Sequence, residues 1–408
     1  MRRAILFLTI LLCCPMGSRA CTSAVISGKA TADGRPLLWK NRDTDHLQNS
    51  VKYFAGGRYA FIGIVNSRAK HPKEVWAGQN SAGFAIMNTQ SYNLEKPVDE
   101  DDPGPANGRI LFKALANCAT VADFCHFLDT IAKPSGIEAN IGVIDAKGGA
   151  AMFEIGYHHY TMFDANDTSV APQGYIVRTN FSFTGDKDQG AGYVRYRTAD
   201  SFLSEADAAS LTPQGIFTVL ARSFVNLQLG VDLKDGRHCQ PESSGWFVDQ
   251  DFIPRHSTAS DVVIQGVKPG ESPELTTMWT ILGYPPVSVA FPLWVKGADR
   301  YLPALLTTIP GEPNTPLGKK ADALKAKVFS YHEGSGSERY LNFEVLYNHQ
   351  NNGIMQQLEP VEAEVFSRTA PVLARWQQRG KIDTAEMAAL YTSLSDYITA
   401  QYQTLFGL

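Results

Sequence analysis

Short apolar segments separated by turn residues dominate the first three hundred residues, and this pattern restricts the fold more than any other feature. Each segment is rich in β-branched, aromatic or aliphatic residues and is bounded by Gly, Asp or Asn, as strands are. They read TSAVIS, PLLWKN, YAFIGIV, GFAIMN, NIGVIDA, AAMFEIG and YIVRTN. The stretch IGVIDAKGGAAMFEIG is predicted to form a hairpin around its AKGG turn. The chain is therefore predicted to be rich in antiparallel sheet.

Helical segments interrupt and follow these strands. Two of them have apolar residues at helical spacing, GRILFKALANCATVADFCHFLDTIA and TPQGIFTVLARSFVN. The tail from Pro360, which contains TAEMAALYTSLSDYITAQYQTLF, is also predicted to be helical. Sheets with helical layers outside them indicate an α+β domain. Because no linker or repeat divides the chain, residues 21–408 are predicted to form one domain with a helical C-terminal segment from about Pro360.

The first twenty residues have the pattern of an export signal. Arg2 and Arg3 form a basic start, Ala4–Cys14 is apolar, and Ser18–Ala20 gives a small-x-small cleavage motif. The apolar stretch is far shorter than the roughly 20 residues of a membrane span. We predict a signal peptide over residues 1–20, and an exported, periplasmic or secreted protein without a membrane span.

The charge of the exported chain limits its partners. The full chain has a formal net charge of −4, and removal of three arginines and no acid leaves it near −7. That balance gives no basic surface for nucleic acid and no polybasic membrane patch. We expect a small-molecule partner, and a homo-oligomer is compatible with the sequence.

Cysteine usage indicates neither a disulfide framework nor a metal site. The cysteines that follow the predicted signal are Cys21, Cys118, Cys125 and Cys239. On one continuous helix, Cys118 and Cys125 would lie roughly 10 Å apart, too far for a disulfide unless the helix breaks. No metal-binding spacing occurs, and the pair His158–His159 is interpreted as surface. We predict no metal and no cofactor.

Cys21 is the first residue after the predicted cleavage site, and it runs directly into a strand. It could be a small buried hydrophobic residue. It could also be the lipid anchor of a binding lipoprotein, but Ser18–Ala20 lacks the bulky aliphatic residue that an acylation motif needs. The leading interpretation is a nucleophile whose own α-amine acts as the base, because the pKa of an α-amine is near 8 and that of a thiol near 8.5.

The residues after Cys21 support the nucleophile interpretation. Asp33–Gly34 is a hairpin turn signal, so Pro36–Asp43 should run antiparallel beside Thr22–Gly28. That pairing returns the sequence KNRD to the neighbourhood of Cys21, where a carboxylate can orient the amine. We predict that Asp43 lies beside Cys21.

The opening CTSAVISGKATADGRPLLWKNRDTD resembles that of N-terminal-nucleophile hydrolases that act on linear amides. The similarity is to choloylglycine (bile salt) hydrolases and penicillin V acylases, with the acyl-coenzyme A:6-aminopenicillanic acid acyltransferases. The portion GKATADGRPLLWKNRD also resembles the cysteine-nucleophile dipeptidases. The resemblance covers most of residues 21–294 and implies a four-layer αββα sandwich.

The resemblance also implies a set of catalytic residues. Cys21 matches the nucleophile, and Asp43 matches the aspartate that contacts its amine. Asn88 resembles the oxyanion-hole asparagine, and Asn180 the asparagine that holds the scissile amide. Arg255, in PRHSTASDVVIQGV, occupies the position of the later family arginine. Because Asn180 also opens a glycosylation sequon, a glycan there would contradict its assignment.

One position departs from the family pattern. Bile salt hydrolases have an arginine where this chain has Lys40, and we expect Arg42 to point to the opposite face of the strand. Lysine cannot make the planar bidentate contacts of arginine, which argues against bile-salt specificity more than against catalysis.

The sequence thus predicts an exported amidase that cleaves a non-peptide or dipeptide-like C–N bond through a thioester on Cys21. An acyltransferase of the same fold and a lipid-anchored binding protein are the alternatives. The aromatic-rich segment Met278–Trp294 could form an apolar acyl pocket, although core packing is the expected use of such residues.

Overall fold

The computed structural model describes residues 20–68, 71–95, 106–237, 245–249, 251–330 and 340–408. Residues 1–19 of the predicted signal peptide, and Cys239, lie outside these described ranges. Among the described residues, no helix combines the length and the apolar character needed to cross a membrane.

A six-stranded antiparallel sheet contains the strand that follows Cys21. In spatial order its strands are β10 (Tyr175–Arg178), β1 (Thr22–Ile26), β2 (Leu37–Asp43), β14 (Thr258–Gln265), β15 (Thr277–Leu282) and β16 (Phe291–Leu293). The first and second strands of the chain are therefore central, and the strand that follows Arg255 lies next to β2.

A seven-stranded antiparallel sheet follows the chain order from one edge to the other. Its strands are β3 (Asn49–Phe54), β4 (Phe61–Asn66), β5 (Ala77–Asn80), β6 (Ala85–Gln90), β7 (Ala139–Ile144), β8 (Ala150–Ile155) and β9 (Tyr160–Asp164). Two small ribbons pair β11 (Val225–Asn226) with β12 (Val231–Asp232), and β13 (Trp246–Val248) with β17 (Tyr340–Asn342). The predicted AKGG hairpin is confirmed, since β7 and β8 pair with Ile144 opposite Ala150.

The α-helices flank and follow the sheets. They are α1 (Asn107–Asn117), α2 (Val121–Thr130), α3 (Tyr193–Glu205), α4 (Pro213–Ile216), α5 (Ala298–Tyr301), α6 (Pro316–Val328), α7 (Phe343–Leu346), α8 (Ile354–Arg379) and α9 (Thr384–Phe406). Helix α8 begins before Pro360 and continues through it, so the helical tail starts earlier than Pro360.

The two large sheets pack face to face. Gly142 of β7 lies so close to the other sheet that a Cβ atom there would be 2.8 Å from Val25 and 2.9 Å from Leu38. Strands β1 and β2 contact β6 and β7 across this interface. A glycine at this point therefore permits the close approach of the sheets.

Helices cover both outer faces. On the seven-stranded sheet, Leu111 of α1 and Phe124 of α2 pack in one apolar cluster with Ile86 of β6. On the six-stranded sheet, Phe366 of α8 stacks on Trp279 of β15 with ring centroids 4.1 Å apart. The order helix, sheet, sheet, helix confirms the predicted α+β class and the four-layer αββα sandwich.

The first predicted helix is in fact two. Cys118 has extended backbone angles and ends α1, while Thr120 and Asp123 form a capping box that starts α2. This cap satisfies backbone N–H groups at a new helix start, which is why the apolar spacing of the segment does not produce one continuous helix. The thiols of Cys118 and Cys125 are both free.

The second predicted helix is also shorter than expected. Helix α4 is followed by a π-helical turn at Phe217–Ala221, and Val225–Asn226 then forms strand β11 rather than helix. The aromatic-rich segment Met278–Trp294 belongs to the core: Tyr284 and Trp294 are both fully buried. Core packing, and not an apolar acyl pocket, is therefore the role of this segment.

Candidate active site

The β1–β2 hairpin brings Cys21 and Asp43 together. Thr22 lies opposite Asn41 in the antiparallel register, so the chain preceding β1 lies beside the end of β2. Gly34, with a φ of +71°, supplies the left-handed residue of the connection. Cys21 Sγ lies 3.8 Å from the backbone oxygen of Asp43. The hairpin and the return of KNRD to Cys21 are confirmed.

Two residues at the start of strand β14, or just before it, hold the Asp43 carboxylate. The Arg255 guanidinium forms an ion pair with one carboxylate oxygen. Thr258 donates a 2.6 Å hydrogen bond to the other oxygen, Oδ1. Because Thr258 is the residue paired with Asp43 in the sheet, the ladder itself fixes this contact. Asp43 therefore has one defined orientation.

Arg255 also contacts the residue that precedes the cysteine. Its Nη2 atom donates to the backbone oxygen of Ala20 over 2.8 Å. Burial lowers the pKa of Arg255, but Asp43, together with Asp249 and Asp251, raises it above the usual value, so the guanidinium stays charged. Arg255 thus links the Asp43 carboxylate to the peptide bond between Ala20 and Cys21.

Cys21 borders a cavity of about 210 Å³ whose lining residues are mostly of polar types. The volume is below the roughly 300–1,000 Å³ of sites for drug-sized ligands. The lining includes the side chains of Lys40, Arg42, Glu74, Trp76, Asn88 and the α1 residue Asn107.

Lys40 connects the two sheets inside the cavity wall. Its Nζ atom donates to the backbone oxygen of Trp76 at 2.8 Å and to Asn88 Oδ1 at 2.9 Å. Burial is the main cause that lowers the pKa of Lys40 to about 7, while Cys21 raises it and Arg42 lowers it further. A charged lysine only donates, so Asn88 turns its oxygen toward Lys40.

Because the oxygen of the Asn88 amide is bonded to Lys40, its Nδ2 group is available to a ligand in the cavity. Asn88 Nδ2 makes no hydrogen bond to another residue that the structure describes, and Asn88 lines the same cavity as Cys21. An amide N–H in this position is the kind of donor that stabilises an oxyanion. The geometry is compatible with the predicted role of Asn88.

Arg42 lies on the same side of β2 as Lys40. It donates to Asn49 Oδ1 at 2.7 Å and to Asn66 Oδ1 at 2.9 Å, and its guanidinium lies 4.8 Å from the Trp76 ring centre. The expectation that Arg42 points to the opposite face is wrong, because residues two apart on a strand share a face. Both cations line the cavity.

Asn180 reaches Cys21 through another residue. Arg195 donates to the backbone oxygen of Cys21 at 2.7 Å and to Asn180 Oδ1 at 3.0 Å. Asn180 Nδ2 donates to the backbone oxygen of Gln90, and Asn180 is not part of the cavity wall. Asn180 has no exposed surface, so the folded chain offers no room for a glycan at its sequon.

Sequence analysis missed Arg195, which is buried on α3. Its Nη1 also donates to Thr22 Oγ1, and burial lowers its pKa to about 10, with further lowering by Arg255. Arg197, two residues later, is exposed. The segment YVRYRTADSF contains no motif that distinguishes the two arginines, and only the packing of α3 against β1 does so.

No group of three or more His, Cys, Asp or Glu side chains in the described ranges is arranged to hold a metal ion. His158 and His159 are exposed at the surface, as expected.

The layered αββα fold is the one that the resemblance to N-terminal-nucleophile hydrolases implies. Residues 30–217 match the model of the family "acyl-coenzyme A:6-aminopenicillanic acid acyl-transferase", somewhat less than half of the chain. The match confirms the resemblance seen in the sequence. It includes Lys40, Asp43, Asn88 and Asn180, whereas Cys21 and Arg255 lie outside it. The catalytic roles of all five candidate residues therefore stay predictions.

Several solved structures are also similar to this chain. One is a Caenorhabditis elegans ortholog of N-acylethanolamine-hydrolyzing acid amidase, at 15% identity and a TM-score of 0.40, over 60% of this chain and 92% of that one. Penicillin V acylase from Agrobacterium tumefaciens aligns at 14% identity and a TM-score of 0.40, over 68% and 86%. A variant of the conjugated bile acid hydrolase from Clostridium perfringens aligns at 11% and 0.41, over 68% and 93%.

At these identities and TM-scores, the likeness says nothing about the substrate of this chain. A comparison with curated protein sequences finds no match.

Proposed function

We propose that this chain is an exported amidase that cleaves a linear, non-peptide or dipeptide-like C–N bond with Cys21 as its N-terminal nucleophile. One observation carries the proposal: Cys21, Asp43 and Asn88, which are separated in the sequence, line one cavity, and Arg255 forms an ion pair with Asp43 behind it. A cysteine that served only as a core residue would not require these buried polar groups around it.

The proposed reaction begins once the Ala20–Cys21 bond has been cut. The new α-amine takes the proton of the Cys21 thiol, and sulfur attacks the substrate carbonyl carbon. The carbonyl electrons move to oxygen, and Asn88 Nδ2 donates to this oxyanion. Asp43, fixed by Arg255, orients the protonated amine.

Collapse of this intermediate breaks the C–N bond. The leaving nitrogen takes the proton from the α-ammonium of Cys21, and a thioester remains on sulfur. A water molecule, deprotonated by the α-amine, then attacks the thioester and releases the acid and the thiol. Every proton in this cycle passes through the α-amine, so no separate histidine is needed.

An acyltransferase is the second candidate, and the family match favours it. Both activities share the thioester and differ only in whether water or an amine accepts the acyl group. Product analysis by mass spectrometry, with and without an added amine, separates them. Acid alone indicates a hydrolase, and an amide of the added amine indicates transfer.

A lipid-anchored binding protein is the candidate from another class. The mass of the mature N-terminus tests it together with export, because an acylated Cys21 has no free amine to act as a base. A free Cys21 α-amine, and amide hydrolysis that disappears in Cys21→Ala, are the results we expect. An acylated terminus, or full activity of Cys21→Ala, would refute the proposed enzyme.

A further inference from the structure

A second cavity, of about 410 Å³, lies along strand β10 at the edge of the six-stranded sheet, and all four residues of that strand line it. The Tyr175 hydroxyl donates to the backbone oxygen of Asp200 on α3, whereas the Arg178 guanidinium lies 4.9 Å from the ring centre of Phe163 on β9. Because Tyr175 and Arg178 point to opposite faces of the strand, this edge cleft lies between α3 and β9. It shares no lining residue with the cavity beside Cys21.

The backbone of β10 presents hydrogen-bonding groups to the edge cleft. The Ser27 N–H donates to the oxygen of Gly174 at 2.8 Å, and in an antiparallel pair this direction repeats at every second residue. The peptide groups of Tyr175 and Val177 therefore point away from β1 and into the cleft. Arg178 Nη1 occupies the Val177 oxygen at 2.8 Å. The Tyr175 C=O and the Val177 N–H make no hydrogen bond to another residue that the structure describes.

These two groups are the ones that a parallel strand uses. In a parallel pair, one residue donates its N–H to the residue before its partner and accepts from the residue after its partner. An added residue opposite Ile176 would thus donate to the Tyr175 C=O and accept from the Val177 N–H. The bond between Arg178 and the Val177 oxygen would remain, whereas an antiparallel strand opposite Val177 would compete for that oxygen.

The two ends of β10 differ in their side chains. Arg178 is 6% exposed and pairs with Glu154 through Nε, but its Nη2 makes no hydrogen bond to a residue that the structure describes. At the other end, Asp200 lines the cleft and forms no ion pair within the described ranges. Burial, and next the Asp200 carboxylate, raise the pKa of Tyr175 and of Tyr196, so this negative charge lies close to both rings. The cleft therefore offers a carboxylate at one end and an N–H donor at the other.

Apolar side chains surround these polar groups. Phe163 and Tyr196 line the cleft, and Phe183 and Val170 are exposed at it although they are large and apolar. Exposed apolar side chains that border a cleft are typical of a surface that a ligand covers. A ligand with an apolar side chain would bury them.

We propose that the edge cleft binds a short peptide with a free amino terminus, which adds to β10 as a parallel strand. Its ammonium group contacts Asp200, its second residue bonds to Tyr175 and Val177, and an oxygen of its third residue accepts from Arg178 Nη2. The span from Tyr175 to Arg178 is about 10 Å, which is the length of about three extended residues. The site is separate from the proposed reaction at Cys21 and does not depend on it.

Three related peptides test the inference. Ala-Leu-Ala is the probe, its N-acetyl form lacks the ammonium charge, and its N-methyl-leucine form lacks the central N–H. Binding of each to the mature Cys21→Ala protein, which cannot use Cys21 to cleave them, is measured by calorimetry at pH 6, where an α-amine with a pKa near 8 is charged.

We expect the acetylated and the N-methylated peptides to bind at least about fivefold more weakly than Ala-Leu-Ala, because each loses one contact with the cleft. In the Cys21→Ala background, adding Asp200→Asn should bring the ratio of free to acetylated peptide close to one. Glu205→Gln, at an exposed position of the same helix, is the matched control and should leave this ratio unchanged.

A proline tests the backbone contact from the side of the protein. Val177→Pro removes the N–H that faces the cleft and no bond to β1, and an edge strand tolerates proline in that position. Val177→Ala also loses the valine side chain but retains the N–H, so it is the matched control. We expect Val177→Pro to bind Ala-Leu-Ala at least about fivefold more weakly than Val177→Ala, with urea denaturation showing that both are folded. If the proline variant does not fold, the N-methylated peptide tests the same pairing.

Three results would overturn the inference: no binding of Ala-Leu-Ala, equal binding of the acetylated or N-methylated form, or undiminished binding to folded Val177→Pro. Light scattering tests another occupant, the β10 edge of a second copy of this chain. A dimer that dissociates in Val177→Pro but not in Val177→Ala would assign the edge to that second copy and refute a peptide site. Monomers in all three proteins, together with the expected peptide ratios, support the proposal.

Discussion

Arg195 Nη1 lies 2.7 Å from the backbone oxygen of Cys21, and its Nη2 lies 3.0 Å from Asn180 Oδ1. One guanidinium therefore holds both the backbone of Cys21 and the amide of Asn180, which in turn donates to Gln90. The contact is made from α3, outside the sheet that carries Cys21. The position of Cys21 depends on a helix as well as on its own strand.

Substitution of Arg195 should reduce turnover without removing a reacting group. A displacement of about 1 Å at the nucleophile can lower the rate roughly 100-fold. We expect Arg195→Met to lower kcat by about that factor with a small change in KM, and Arg195→Lys to recover part of it. Arg197→Met, on the exposed side of the same helix, is the control. Equal effects of the two Met variants would contradict a positioning role for Arg195.

The ion pair between Asp43 and Arg255 should matter for stability as well as for activity. Removal of one partner of a buried pair leaves an uncompensated charge and typically destabilises a protein by about 3–5 kcal/mol. We expect Arg255→Met to lower the free energy of unfolding by about this amount in urea denaturation. The double variant Asp43→Asn, Arg255→Met should recover part of the loss. A double variant less stable than Arg255→Met would show that the pair is not the cause.

Local sequence signals predicted the part of the site that lies on the first hairpin. Asp33–Gly34 and the alternating segments around it fixed the antiparallel pairing, and this pairing alone places Asp43 beside Cys21. The resemblance supplied Arg255, whose contact with Asp43 is seen only once β14 lies next to β2. Contacts within a hairpin can be predicted from sequence, whereas contacts between distant strands depend on the order of strands in the sheet.

The remaining errors have physical causes of the same kind. The break at Cys118 comes from a capping box at Thr120 and Asp123, which competes with the apolar spacing that favours one helix. Apolar and aromatic residues suggested an acyl pocket at Met278–Trp294, but the core contains them, and the cavity is formed by polar side chains of both sheets. Composition does not distinguish a core from a pocket.

Lys40 should lower stability while it supports function. Its pKa is about 7 in the folded chain and 10.5 without burial, so between these values the unfolded chain binds more protons than the folded chain. The free energy of unfolding of the parent protein therefore increases as the pH rises from about 7 to 10.5, by up to about 1.4 kcal/mol per pH unit, because the destabilising effect of Lys40 becomes smaller.

We expect Lys40→Met to be more stable than the parent at pH 6 and to lose this advantage toward pH 10. Urea denaturation of both proteins across this range measures the difference. An advantage that is constant with pH would mean that Lys40 does not lose its proton near pH 7 in the folded chain.

Asn88 should act on the transition state rather than on substrate binding. Loss of one oxyanion donor typically lowers kcat by about 10²–10³. We expect Asn88→Ala to show this loss with KM nearly unchanged, because the donor faces an oxygen whose negative charge develops only during attack. A variant with normal kcat and a raised KM would instead assign Asn88 to ground-state binding.

The free α-amine of Cys21 should be as necessary as its thiol. Cys21→Ala would abolish hydrolysis in any thiol enzyme, so a sharper variant retains Cys21 and moves the cleavage site to leave one residue before it. In the uncut chain Arg255 already donates to the backbone oxygen of Ala20, so an extra residue would occupy space beside Asp43 that the amine needs. Its amide nitrogen could not act as a base.

Proton transfer by a positioned base contributes about 10²–10⁴ in rate, and we expect the extended protein to lose at least that factor. The mass of the purified protein must show that the extra residue is still present, and its urea denaturation curve must show that it is folded. The matched control is the same preparation after an aminopeptidase has removed the extra residue, which should restore the parent rate. An extended, folded and uncut protein that hydrolyses the substrate at the parent rate would show that the α-amine is not the base, because the thiol is then sufficient.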